Sequence, residues 1–252
     1  MIAGFVDGSG QKDVLIGVSA RPGQWVSGIC TDRCWPCSQL NPPLPSPNDD
    51  WVSLPGDIRP HCQRVGAFAF LDGSYDAALF LPLEPGPYTA KVSGLDGTGV
   101  GLVELYDADP DPLTSTCNLS NISTRGEVGT KAQVLIAGFV IEGDVPKQVL
   151  VRGIGPRLAD FLVADTLADP FLQLLKEASP EALWVASNDN WSDNPNAADI
   201  VTLGASVGAF DLVAGSRDAV ILTWLEPGNY TAKVSGVGET TGVALVEVYE
   251  VR

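Results

Sequence analysis

Apolar and polar residues alternate strictly along Tyr88-Thr89-Ala90-Lys91-Val92-Ser93, which puts Tyr88, Ala90 and Val92 on one face and Thr89, Lys91 and Ser93 on the other. A period of two predicts a half-buried antiparallel strand, and residues 230–235 repeat it. Ahead of each strand, Leu83-Glu84-Pro85-Gly86 and Leu225-Glu226-Pro227-Gly228 place Pro and then Gly as a type II turn requires, which predicts a hairpin with the preceding strand. That preceding strand, residues 76–83 and again 218–225, is almost continuously apolar, as expected for a strand in the middle of a sandwich. Residues 243–251 supply a further strand. Helix is predicted only in short pieces: residues 156–164 carry Leu158, Phe161 and Leu162 at helical spacing, and Asn194-Pro195 reads as an N-cap with Pro at the first helical position.

The pattern occurs twice. Residues 65–106 align with residues 207–249 across a one-residue gap, with 26 of 42 positions identical. Upstream, Asn48-Asp49-Asp50-Trp51 matches Asn188-Asp189-Asn190-Trp191, and Ile2-Ala3-Gly4-Phe5-Val6 matches Ile136-Ala137-Gly138-Phe139-Val140. The chain therefore reads as an internal duplication. Copy one covers 1–109, with a Cys-rich insertion at about 28–47; a Pro/Asp/Thr-rich linker covers 110–118; copy two covers 119–252. Many short strands, Gly/Pro turns and one or two short helices per copy predict an all-β protein of two tandem, jelly-roll-like β-sandwich domains. Copy two opens with Leu119-Ser120-Asn121-Ile122-Ser123-Thr124, a strand-like segment ahead of the IAGFV block that copy one does not have. Either residues upstream of Met1 supply that strand, or copy one is a sandwich with an empty strand position.

Charge and composition narrow the function. Fifteen Lys and Arg against 31 Asp and Glu give a net charge of −16, which repels nucleic-acid phosphates and anionic lipid heads, so neither is an expected partner. No segment approaches the length of apolar chain that spans a bilayer. The opening Met1-Ile2-Ala3-Gly4-Phe5 lacks the basic region and apolar stretch of a signal peptide, so export is not legible there. Five Cys, few Lys and abundant Ser, Thr, Gly and Asn nevertheless suit an extracellular or cell-surface protein.

The run GNYTAKVSGVGETTGVALVEVYEV, with NISTRGEVGT and VLVRGIGPRL upstream, resembles a tandem repeat of large secreted and surface proteins of environmental bacteria. Its Gly-x-Tyr-Thr strand and closing strand are similar to the jelly-roll modules of the bacterial pre-peptidase C-terminal type. The resemblance covers copy two and the last third of copy one. It implies an extracellular β-sandwich used for binding or assembly and brings no catalytic residues with it.

Candidate chemistry is sparse. Cys30, Cys34 and Cys37 have the spacing of a three-cysteine iron–sulfur site but sit in a Pro-rich insertion of a β domain. Disulfides among Cys30, Cys34, Cys37, Cys62 and Cys117 and a zinc site that adds Cys62 or His61 both fit them, and the compartment favours disulfides. No cofactor is expected; Asp49, Asp50, Asp189 and Asp193 are hard oxygen donors that would suit calcium, but Asn and Asp also fill turns for backbone reasons. Trp51 and Trp191 follow these runs and read as core residues or, if exposed, as a sugar platform. Gly204-Ala205-Ser206-Val207-Gly208 has the letters of a hydrolase nucleophile elbow without the strand–turn–helix context. Arg152-Gly153-Ile154-Gly155-Pro156 lacks the third glycine of a dinucleotide loop.

The expectation is a non-enzymatic extracellular subunit that polymerises with copies of itself into a filament or surface layer. Its assembly edge is expected at Ile2, Ala3, Gly4, Phe5 and Val6, completed by a strand from the linker or the C-terminus of a neighbour. The alternative is a glycan- or cell-surface-binding adhesion module that uses Trp51 and Trp191.

Overall fold

The computed structural model describes residues 2–7, 11–20, 26–32, 48–54, 56–94, 99–110 and 118–251. The protein is all-β with a few short helices and divides into two compact units, Met1–Ser120 and Asn121–Arg252.

Unit 1 contains β1 (Ile2–Asp7), β2 (Lys12–Ala20), β3 (Val26–Asp32), α1 (Arg59–Val65), β4 (Ala77–Leu83), β5 (Gly86–Gly94) and β6 (Gly101–Asp107). Strand β5 pairs antiparallel with β1 on one side, Ala90 opposite Ile2, and with β3 on the other, Val92 opposite Ile29. The second sheet has the order β4-β2-β6. Between the sheets lie Val14, Ile16 and Val18 of β2, Leu79 and Leu81 of β4, and Tyr88 and Ala90 of β5. The alternation read in residues 88–93 is what puts Tyr88 and Ala90 there.

Unit 2 follows the same order with additions: β7 (Asn118–Val128), β8 (Leu135–Ile141), β9 (Lys147–Ile154), β10 (Pro170–Lys176), β11 (Leu183–Asn188), α2 (Ala197–Ser206), β12 (Ala219–Leu225), β13 (Gly228–Gly236) and β14 (Gly242–Val251). The unit boundary falls inside β7. Antiparallel pairs run β12-β9-β14-β7 in one sheet and β11-β10-β13-β8 in the other. Val149, Val151, Ile221, Ala244 and Val246 of the first sheet pack on Leu172, Leu174, Tyr230, Ala232 and Val234 of the second.

The near-continuous apolar strands β4 and β12 sit at the edges of their sheets, not in the middle. Their sequence reflects burial of both faces. Ala219 and Ile221 face the sandwich core, while Val220 lies under an outer cover formed by Trp191, Ile200 and Ala209. In unit 1, Leu79 and Leu81 face inward and Ala78 lies beneath Trp51, Ile58 and Cys62. A strand covered twice has no polar face to alternate with.

The Pro-Gly turns also differ from expectation. They join strands of opposite sheets, β4 to β5 and β12 to β13, so no hairpin forms. Gly86 and Gly228 take φ of +150° and +146°, far from the value near +80° of a type II turn and accessible to glycine. Each crossover is closed by a buried tyrosine: Tyr88 donates its hydroxyl to the Glu84 carbonyl and Tyr230 donates to the Glu226 carbonyl, both at 2.8 Å. A phenol at a sandwich corner holds the chain where it changes sheets.

The helices are short. Residues Pro156–Phe161 form a 3-10 helix that ends at Leu162 in the left-handed region, and of its expected apolar face Leu158 alone is buried. Helix α2 starts later than the Asn194-Pro195 signal, with Asn196 at its N-cap position. The Asn194 amide instead donates to the carbonyls of Trp191 and Val220 and holds the preceding turn to the sheet. Among the described residues, no helix is long and apolar enough to cross a membrane.

Candidate functional site

The Asn/Asp runs are clamps between the outer cover and the sheet. Asn188 accepts from the Val220 backbone N–H at 2.8 Å through its side-chain oxygen and donates to the Asn190 carbonyl at 3.0 Å. Asn48 repeats this on Ala78 and Asp50. Asp50 accepts from the Val52 N–H, and Asp49, Asp189 and Asp193 are not buried. Among the described residues, no group of three or more His, Cys, Asp or Glu is placed to hold a metal ion. The four acidic residues singled out for calcium therefore do not converge with other such ligands.

Trp51 and Trp191, which follow these runs, are buried. Trp51 stacks on Phe70 with ring centroids 5.7 Å apart, and the Trp191 indole donates to the Val213 carbonyl at 3.1 Å. Neither offers a ring face to a sugar. Among the described residues the exposed indoles are Trp184 on β11 and Trp224 on β12, each 65% accessible. Neither has a Trp at the matching position of the sequence repeat, so the repeat gives no signal for them.

Cys62 is a free thiol of α1 buried within the outer cover of unit 1, and burial pushes its pKa up. Packed among Trp51, Ile58 and Phe70, it is a small core residue and forms no bridge. The Cys30 backbone belongs to β3, opposite Lys91. Cys34, Cys37 and Cys117, with most of the Cys-rich insertion, lie outside the described residues, as do the side chains of Ile2, Ala3, Gly4, Phe5 and Val6.

Ser206 closes α2, with its hydroxyl donating back to the Leu203 carbonyl at 2.7 Å. A helix therefore enters this serine, whereas a nucleophile elbow is entered from a strand. Gly155 ends the RGIGP segment against the Leu167 carbonyl, where a Cβ would lie 2.1 Å from the oxygen. Its N–H donates to the buried Asp218 carboxylate at 2.9 Å. Both glycine motifs thus serve chain direction.

Two polar clusters are buried. In unit 2, Arg152 on β9 and Glu247 on β14 lie opposite each other, Nε to Oε2 3.2 Å, with the Phe210 ring centroid 4.2 Å from the guanidinium carbon. The Tyr249 hydroxyl donates to Glu247 at 2.8 Å. Burial raises the Glu247 pKa against the opposing pull of Arg152 and Tyr249, and burial together with the adjacent carboxylate raises that of Tyr249. In unit 1 the ammonium of Lys12, fully buried, pairs with Asp107 and with Asp109, the latter at 2.9 Å. Burial alone would lower the Lys12 pKa, but the two carboxylates outweigh it and the net shift is upward. Arg64 donates to the carbonyls of Ala108 and Asp109, so this cluster pins the chain leaving β6.

The feature that distinguishes the units is a strand edge. Strand β14 lies between β9 and β7, with Val246 opposite Thr124 and Val248 opposite Ile122. Strand β6 is its counterpart, GVGLVELY in place of GVALVEVY, and it pairs with β2. Among the described residues nothing pairs with its other side, and β6 ends its sheet. Leu102 and the preceding Val100 are exposed. The asymmetry between the copies therefore falls beside β6, because β7 pairs with the last strand of its unit and not with β8. The C-terminal strand expected as a donor is β14, held in the interior of its own sheet.

No protein-family model matches the chain, and no curated protein matches it.

Proposed function

We propose that the chain is a non-enzymatic structural subunit of the extracellular space or cell surface, built by duplication of one sandwich domain, that assembles with copies of itself into a filament or surface layer. The observation that carries the reading is the open β6 edge. Among the described residues nothing pairs with the outer side of β6, and a strand edge of this kind, with Val100 and Leu102 exposed, is a template for another strand unless something covers it. The resemblance to repeats of secreted bacterial proteins, the acidic composition and the burial of both matched tryptophans point the same way. Sedimentation velocity of the purified chain over a range of concentrations tests it: growth into large regular species supports the reading, and a monomer at every concentration refutes it.

The adhesion reading retains one specific support, the exposed Trp184 and Trp224, since an accessible indole stacks on a sugar ring. Replacing each by Ala and probing a glycan array separates it from assembly, because loss of glycan binding without loss of polymer identifies a binding surface.

A further inference from the structure

Among the described residues a second strand edge is open and complements β6. Strand β8 ends the sheet β11-β10-β13-β8, and its sequence, Leu135-Ile136-Ala137-Gly138-Phe139-Val140-Ile141, carries no charge and no proline. It contains the same IAGFV pentapeptide found at Ile2–Val6. Ala137 and Ile141 point into the core, while the outward residues Ile136 and Val140 are 55% and 60% exposed. Proteins ordinarily protect such an edge. Other edges of this fold are protected: β4 carries Pro82, β3 is irregular in register between Val26 and Gly28, and β11 faces an irregularity at Leu174/Leu175. On β12 the outward Val220 already lies beneath the Trp191 cover.

Resting on the self-assembly reading, we infer that β6 of one chain pairs antiparallel with β8 of a second copy. Both strands have seven residues. Paired over their full length, the two strands set Leu102 opposite Val140 and Tyr106 opposite Ile136 on the outer face, and cross-strand apolar neighbours of this kind are the stabilising unit of a sheet. β8 is uncharged, so the contact opposes no like charges to Glu104 or Asp107 of β6. Each chain has one β6 and one β8, and the two surfaces differ, so the contact is heterologous and repeats into an open polymer when its rotation does not close. A β7 strand borrowed from a neighbour has no such balance, because it would leave that neighbour's β14 uncovered. With a net charge of −16 per chain, association strengthens as salt screens the repulsion.

The test uses the full chain with Val100→Lys/Leu102→Lys to block β6 and Ile136→Lys/Val140→Lys to block β8. All four positions are exposed, and circular dichroism and thermal melting verify that both variants fold. Sedimentation velocity should show polymer for the unaltered chain and monomer for each variant alone. An equimolar mixture should give dimers and nothing larger, since one intact β6 meets one intact β8 and both outer ends are blocked. A variant that still dimerises alone, a mixture that stays monomeric, or polymer that persists in both variants overturns the β6–β8 contact. In the last case self-assembly itself stands, whereas an unaltered chain that never associates removes both.

Discussion

Arg152 and Glu247 face each other across β9 and β14, both buried, whereas the same two positions in unit 1 hold Gly17 and Glu104. A Cβ on Gly17 would lie 3.2 Å from Phe70 Cζ, and the counterpart of Phe70 is Leu212. One unit therefore fills this space with a phenyl ring and the other with a guanidinium. Removing Arg152 alone leaves a carboxylate without its counter-ion in a site shielded from water. Arg152→Ala should destabilise the protein by about 3–5 kcal/mol, and Arg152→Ala/Glu247→Leu should recover most of that loss. Differential scanning calorimetry with a double-mutant cycle measures the coupling, and additive effects contradict it.

The same carboxyl sets a pH dependence. Burial raises the Glu247 pKa above its unfolded value, so the folded state holds the proton more tightly. The resulting contribution is full below the ordinary carboxylate range and declines as pH rises from there to the folded value. Glu247→Gln does not titrate, so its stability relative to the unaltered chain should increase across that window. Urea melts of both proteins from acid to neutral pH check the sign, and a difference that stays constant or reverses is inconsistent with a raised pKa.

The strands were legible where one face only is buried. Tyr88, Ala90 and Val92 alternate with polar residues and form a strand facing the core. Residues 77–83 gave the strand but misled about its place, since apolarity on both faces arises equally from a central strand and from an edge strand under a helical cover. The LEPG turn carried its local geometry in the sequence but not its partners, because which sheet receives the next strand is decided by packing between layers. The open edge was half legible. The extra Leu119–Thr124 strand exposed an asymmetry, and chain order put it ahead of the IAGFV block, while pairing in space puts β7 beside β14, the counterpart of β6.

The crossover tyrosines provide a matched pair of tests. Tyr88→Phe and Tyr230→Phe keep the ring and delete the hydroxyl that closes the β4–β5 and β12–β13 connections. Each should cost about 1 kcal/mol, the net worth of one intramolecular hydrogen bond. Denaturant unfolding reads it, and a change of a few tenths at both sites means the phenol does not hold the corner.

Gly155 is predicted to tolerate no side chain. A Cβ there would lie 2.1 Å from the Leu167 carbonyl oxygen, a backbone atom held by the Leu167 N–H bond to the Val243 carbonyl. Gly155→Ala should lower stability by about 3 kcal/mol or more through enforced displacement of that chain. Gly204→Ala, whose Cβ would have 3.9 Å of room to the Leu150 side chain, is the control and should change little or stabilise α2. Thermal melts of the two variants should therefore differ widely, and similar melts contradict the close approach.

Self-assembly through strand edges is tested most directly by negative-stain electron microscopy of the purified full chain at rising concentration and near-physiological salt. The account predicts filaments or sheets with a regular subunit repeat, lost when Val100 and Leu102 are both replaced by Lys. Dispersed single particles at every concentration contradict it.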